Sequence, residues 1–289
     1  MRFWAAGALV PEEDAAVAVL DHGFTVGDGV FETLKTVHDA SVGVVPFAMD
    51  RHLQRLSRSA AGMGITVPDL DEVRDALLAV CAANPELAIG GRLRITLTSG
   101  AGPLGSERIS EEATLVVAAS PSKAWPESTI LALSPWPRNE RSPLVGLKTT
   151  SYAENVLALA RAKSQGAGEA LLANLAGNVC EGTGSNVFIV IDGKLTTPPL
   201  SSGCLAGITR GLVIEWCADA GIDVQERSLP VAEIALAEEI FITSSTRDVH
   251  PVQSLLDDSG ATIWTSAGRV LTSAAAGHFS ARATAQWNP

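Results

Sequence analysis

The sequence predicts an α/β protein of the α+β kind, folded as two domains. Strand-like alternation and helix-like periodicity interleave along the whole chain, with no internal repeat and no low-complexity tract. A chain of 289 residues is long enough for a substantial core and two domains. Pro121-Ser122-Lys123-Ala124-Trp125-Pro126 then sets two prolines close together, where both helix and central strand are discouraged. These observations predict a smaller N-terminal α/β domain over 1–120, a linker over 121–127 and a larger C-terminal domain over 128–289.

The elements follow from local pattern. The apolar start Phe3 to Val10 has the length of a signal core, but acidic Glu12-Glu13-Asp14 follows at once, so it is read as a first strand and turn. Gly29 to Val37 and Val42 to Phe47 read as paired strands turning at His38-Asp39-Ala40. Met49 to Met63 is an amphipathic helix with Leu53, Leu56 and Ala60 on one face, and Pro68-Asp69 begins a second helix over Leu70 to Ala83. Arg92 to Thr98 and Ala113 to Ala119 are strands around the Gly/Pro loop Ser99 to Gly105. Beyond the linker, helices are expected at Tyr152 to Gln165 and Arg210 to Ala220. Strands are expected at Glu169 to Ala173, Val187 to Ile191 and Glu239 to Thr243.

Composition narrows the function. A net charge of −11 argues against nucleic acid as a partner. No apolar run approaches membrane-spanning length, which argues against a membrane and makes the cytoplasm the expected location. Cys81, Cys180, Cys204 and Cys217 show no metal-site spacing and read as reduced, mostly buried thiols. The five histidines form no paired motif, so no metal is expected.

The chemistry sits in an ordered set of motifs. Lys148, in Gly146-Leu147-Lys148-Thr149-Thr150-Ser151-Tyr152, leaves an apolar segment and offers an amine for a Schiff base. Glu181 opens the turn Glu181-Gly182-Thr183-Gly184-Ser185, and a carboxylate beside a pyridine nitrogen keeps that nitrogen protonated. Gly207-Ile208-Thr209 precedes a helix whose free N–H groups suit a phosphate, and Ser244-Ser245-Thr246 offers further donors. Arg55, on the apolar side of its helix, calls for a buried anion. Singly, these residues could be a strand-end lysine, a turn glutamate, an ordinary helix cap and a surface arginine. Together they supply what a pyridoxal 5'-phosphate pocket needs.

The set, in this order, resembles the class IV aminotransferases, the fold-type IV pyridoxal phosphate enzymes of the D-amino-acid aminotransferase-like fold. The resemblance runs from about Val17 to Pro251. It implies Arg55 on the phosphate, Lys148 in the Schiff base and Glu181 at the pyridine nitrogen. It further implies Leu205 packed on the ring, Ile208, Thr209 and Ser245 at the phosphate, and Thr246 and Arg247 at the substrate carboxylate. Tyr152 and Asn155 are both candidates for the cofactor phenolate. The family fold implies two domains with the cofactor between them, in a homodimer that acts on a small-molecule amine. Within the family, Phe31-Glu32-Thr33 and the Lys148-to-Tyr152 spacing are most like the 4-amino-4-deoxychorismate lyases, which release pyruvate and 4-aminobenzoate in folate biosynthesis. On that reading Thr33 donates a hydrogen bond to the departing ether or its carboxylate. The alternative is a branched-chain or D-amino-acid transaminase that uses 2-oxoglutarate or pyruvate as acceptor.

Overall fold

The computed structural model describes residues 1–109 and 112–289, and the chain divides into two compact units. The first comprises Met1–Lys123, Leu147–Ser151 and Ala285–Pro289; the second comprises Ala124–Gly146 and Tyr152–Thr284. The lysine-bearing segment therefore belongs to the N-terminal unit, whereas the sequence pattern assigns it to the domain over 128–289.

The N-terminal unit is built on a six-stranded sheet. Its strands are β1 (Arg2–Ala5), β2 (Ala8–Pro11), β3 (Gly29–Asp39), β4 (Gly43–Pro46), β5 (Gly91–Thr98) and β6 (Thr114–Pro121), in the order β2-β1-β6-β5-β3-β4. The apolar start forms two strands, because Ala6 and Gly7 both take positive φ and close a tight hairpin. A short helix α1 (His22–Thr25) is capped by the Asp21 carboxylate on the Gly23 N–H. Helices α2 (Met49–Met63) and α3 (Leu70–Ala83) bury Leu53, Leu56 and Ala60 with Val73, Leu77 and Val80 against Leu34, Leu93, Ile95 and Leu97 of the sheet. At roughly 25 cal/mol per Å² of apolar surface, burial of this cluster is the main force holding the unit together.

Residues 147–151 complete that sheet. Phe31 donates its N–H to the Lys148 carbonyl at 2.9 Å, Val30 bridges Thr149, and Thr150 donates to the Gly29 carbonyl at 2.8 Å. Since β4 pairs only with Thr36 to Asp39, the start of β3 keeps an open edge, which this segment occupies.

The second unit carries a nine-stranded sheet. Its strands are β7 (Thr129–Leu133), β8 (Glu169–Ala173), β9 (Val179–Gly182), β10 (Asn186–Ile191), β11 (Lys194–Thr197), β12 (Val224–Glu226), β13 (Glu239–Ser244), β14 (Asp248–Leu256) and β15 (Thr262–Thr265). They run β12-β11-β10-β13-β14-β7-β8-β9, with β15 added to β14. Its helices are α4 (Ala153–Ser164), α5 (Ile208–Asp219) and α6 (Val270–Ala285). The central strand β10 is buried at every position, as expected for a strand covered on both faces. Helix α5 begins two residues before the expected start, because Gly207 takes an extended conformation and serves as N-cap.

Candidate active site

In the N-terminal unit, Lys148 is held from both sides. Its N–H donates to Ser59 Oγ at 3.2 Å, its carbonyl accepts from Phe31, and its Nζ lies 4.3 Å from the centre of the Phe31 ring. The guanidinium of Arg94 stacks on the same ring at 3.7 Å. Thr33 is half-buried and pairs with Arg94 across β3 and β5, so alternation puts it on the Phe31 face of β3.

The opposite face of β3 holds Glu32, the middle residue of Phe31-Glu32-Thr33. Its fully buried carboxylate accepts from His52 Nδ1 at 2.6 Å and from Arg55 Nε and Nη2 at 2.8 Å each. In the structure Arg55 thus meets a buried carboxylate of its own chain. Burial alone would raise the Glu32 carboxyl. The Arg55 charge and its hydrogen bonds, with those of His52, outweigh that and hold it well below the usual carboxylate range. Burial pushes His52 below its ordinary value despite the Glu32 charge, and the cations of Arg55 and Lys148 act in the same direction. His52, Arg55 and Ser59 share one face of α2 and all three are buried.

In the second unit, Glu181, Leu205, Ile208 and Thr209 are brought together. Glu181 sits on β9 and its Oε2 accepts the Leu205 N–H at 2.9 Å, while Arg138 Nη2 lies 3.5 Å from Oε1. Thr209 lies in the first turn of α5 instead of ahead of it. The N–H groups of Ile208, Thr209 and Arg210 lack intrahelical acceptors, and Gly207 has no side chain to cap them.

Asn155 is consumed locally. Its Oδ1 accepts from Arg138 at 3.0 Å and its Nδ2 donates to the Thr183 carbonyl at 2.6 Å. The Tyr152 hydroxyl donates to the same carbonyl at 2.8 Å.

Ser245, Thr246 and Arg247 form the tight connection between β13 and β14. Arg247 Nη1 pairs with buried Glu169 at 2.5 Å, and the guanidinium stacks on Trp125 at 4.0 Å. Trp125 Nε1 in turn donates to the Thr246 carbonyl at 2.8 Å. Glu169 also accepts from Gly184 N–H and Ser185 Oγ, both at 2.7 Å, and so joins the Gly-rich turn to the Arg247 loop. Sequence reasoning misses Glu169 because a strand-opening glutamate carries no spacing signal. All four cysteines are buried and free. Among the described residues no cluster of His, Cys, Asp and Glu could hold a metal, and no helix is long and apolar enough to cross a membrane.

Comparison with known proteins places this arrangement. The model of the amino-transferase class IV family matches residues 29–255, so the chain belongs to the class IV aminotransferases. A Methanocaldococcus jannaschii protein, provisionally named a branched-chain-amino-acid aminotransferase, is 35% identical over 259 residues, 87% of each chain. The T.th. branched-chain amino acid aminotransferase, solved with N-(5'-phosphopyridoxyl)-L-glutamate, superposes with a TM-score of 0.88 at 30% identity, over 99% of this chain and 95% of that one. The 4-amino-4-deoxychorismate lyase of Pseudomonas aeruginosa gives 0.81 at 29% identity, over 99% of this chain and all of that one. The chain thus has the fold-type IV architecture that its motifs resemble.

Proposed function

We propose that the protein is a pyridoxal phosphate-dependent transaminase acting on branched-chain L-amino acids, with 2-oxoglutarate as acceptor. The observation that carries the reading is 35% identity across 87% of the chain to a relative bearing that branched-chain name. The glutamate adduct held by the T.th. enzyme supports the acceptor. The donor set suits the cofactor: a lysine held at backbone level, a carboxylate fixed by a backbone N–H, and a helix start without a side-chain cap.

When bound, the cofactor supplies an electron sink that allows the C–H bond next to the substrate amine to break. Lys148 would hold the cofactor through its Nζ and, once displaced from it by the substrate amine, would move the proton from the substrate carbon. Phe31 shields the lysine stem and limits where Nζ can swing. Glu181 holds a proton at the ring nitrogen, and its hydrogen bond from Leu205 fixes the carboxylate for that task. The first turn of α5, with Thr209 and Ser245, receives the phosphate. Tyr152 and Asn155, which both donate to the Thr183 carbonyl, are the candidates for the phenolate contact. Thr246 receives the substrate carboxylate. Arg247 holds the loop through Glu169 and Trp125, and a homodimer in the cytoplasm is the assembly and setting in which we place the enzyme.

The lyase is the second reading, favoured by the Pseudomonas aeruginosa lyase fold and by Thr33 on the Phe31 face. A panel of L- and D-amino acids with 2-oxoglutarate, run beside 4-amino-4-deoxychorismate, separates the two. Keto acid from leucine, isoleucine or valine without pyruvate from the chorismate supports the transaminase. Pyruvate release alone overturns it.

A further inference from the structure

The motifs pass over the strand pair beneath the start of α5. Asn186 opens β10 and lies directly opposite Thr243 on β13, so both side chains stand on one face of the sheet. Asn186 is 5% exposed, and its Nδ2 donates to the Leu205 carbonyl at 2.8 Å. That carbonyl also accepts the Gly207 N–H at 2.8 Å, while the Leu205 N–H is held by Glu181. A Cβ on Gly207 would collide with Asn186 Oδ1, so the N-cap of α5 packs directly on this side chain. Asn186 therefore ties the first turn of α5 to the strand that follows the Glu181 turn.

Thr243 adds an independent observation. It is 1% exposed, and its Oγ1 has no hydrogen-bond partner. Buried hydroxyls are rarely left so. This one stands across from Asn186, on the face by which Asn186 reaches the helix start.

We propose that Asn186 and Thr243 form the floor of an anion seat at the start of α5, with Asn186 as the positioning residue for Gly207 and Ile208 and the Thr243 hydroxyl as a further donor to the phosphate. The inference rests on the cofactor reading above and deepens it: the phosphate is gripped from the sheet side as well as by the helix. Neither residue touches the reacting atoms. Their contribution is to retention of the phosphorylated cofactor.

The test titrates the cofactor-free wild type, Thr243→Val and Asn186→Ala with pyridoxal phosphate and, separately, with pyridoxal, which lacks the phosphate. Thr243→Val is expected to weaken pyridoxal phosphate binding by on the order of tenfold, the worth of one hydrogen bond to an anion, and to leave pyridoxal binding unchanged. Its cofactor-free melting temperature should not fall, because the hydroxyl has no partner to lose, and inorganic phosphate should raise that temperature less than in the wild type. Asn186→Ala should lower the phosphate preference in the same way; if that variant does not fold, Thr243→Val decides alone. A wild type that binds neither ligand overturns the cofactor reading itself. A wild type that prefers the phosphorylated ligand, with the same preference kept in Thr243→Val, overturns this inference and leaves the cofactor reading standing.

Discussion

Arg55→Leu separates what the structure adds from what the sequence implies. From the sequence alone, loss of Arg55 should weaken cofactor retention more than it slows the saturated enzyme. In the structure its guanidinium forks onto Glu32, which is fully buried and has His52 as its other partner. Removing the arginine leaves a desolvated carboxylate without its cation, which costs about 3–5 kcal/mol. Glu32→Leu strands the guanidinium and should cost a similar amount. Removing both leaves neither charge uncompensated, so Glu32→Leu/Arg55→Leu is expected to cost no more than either single change. Urea unfolding of the cofactor-free protein reads this directly, because Trp4 and Trp287 pack on the same core and report by fluorescence. With an m-value of about 3 kcal/mol per M, each single change should lower the midpoint by roughly 1–1.7 M. Strict additivity of the two single changes would refute the coupling. So would an Arg55→Leu protein that unfolds like the wild type and is altered only in cofactor binding.

Glu181→Gln should retain the cofactor yet lower turnover by orders of magnitude, since an amide cannot hold the ring-nitrogen proton; an unchanged kcat would return Glu181 to a turn residue. Stability should fall in acid. Burial, then the charges of Arg247 and Arg269, lower His250 to about 4, so from pH 6.5 downward the unfolded chain binds a proton that the folded chain refuses, at up to about 1.4 kcal/mol per pH unit. His52 acts with the same sign. Urea midpoints at pH 7 and pH 5 check this, and a His250→Phe variant with an unreduced pH slope would contradict the assignment. Thr33→Gly should cost about 1 kcal/mol through loss of a β-branched strand residue, with no preferential effect on any reaction. A selective loss of pyruvate release from 4-amino-4-deoxychorismate in that variant would favour the lyase.

Elements with strong periodicity are legible in the sequence. α2 and α3 coincide with the expected helices, since an apolar face, the Asp69 cap and the positive-φ Gly64 stop are all written locally. Strands such as β7, β14 and β15, and the alanine-rich α6, escape it, because their pairing is decided by neighbours distant in sequence. The site shows the same divide. Lys148, Glu181 and the Gly207 helix start announce themselves by residue type and order. The surrounding partners, Glu32 on Arg55, Ser59 on Lys148, Glu169 on the Gly184 turn and Asn186 on Leu205, act through contacts 15 to 89 residues apart that local pattern does not reveal. In the structure Arg55 and Arg247 pair with the internal carboxylates Glu32 and Glu169. In the sequence the likeness to the chorismate lyases is carried by Phe31-Glu32-Thr33 and one lysine-to-tyrosine spacing, whereas the curated relatives that match most of the chain bear branched-chain names.

The central claim is that Lys148 Nζ carries pyridoxal phosphate, and borohydride reduction of the purified holoprotein followed by peptide mass mapping tests it most directly. The account predicts one reduced phosphopyridoxyl adduct, on the peptide containing Leu147-Lys148-Thr149, and neither adduct nor turnover in Lys148→Ala. An adduct on another lysine, or a Lys148→Ala protein with near-normal transamination, would contradict it.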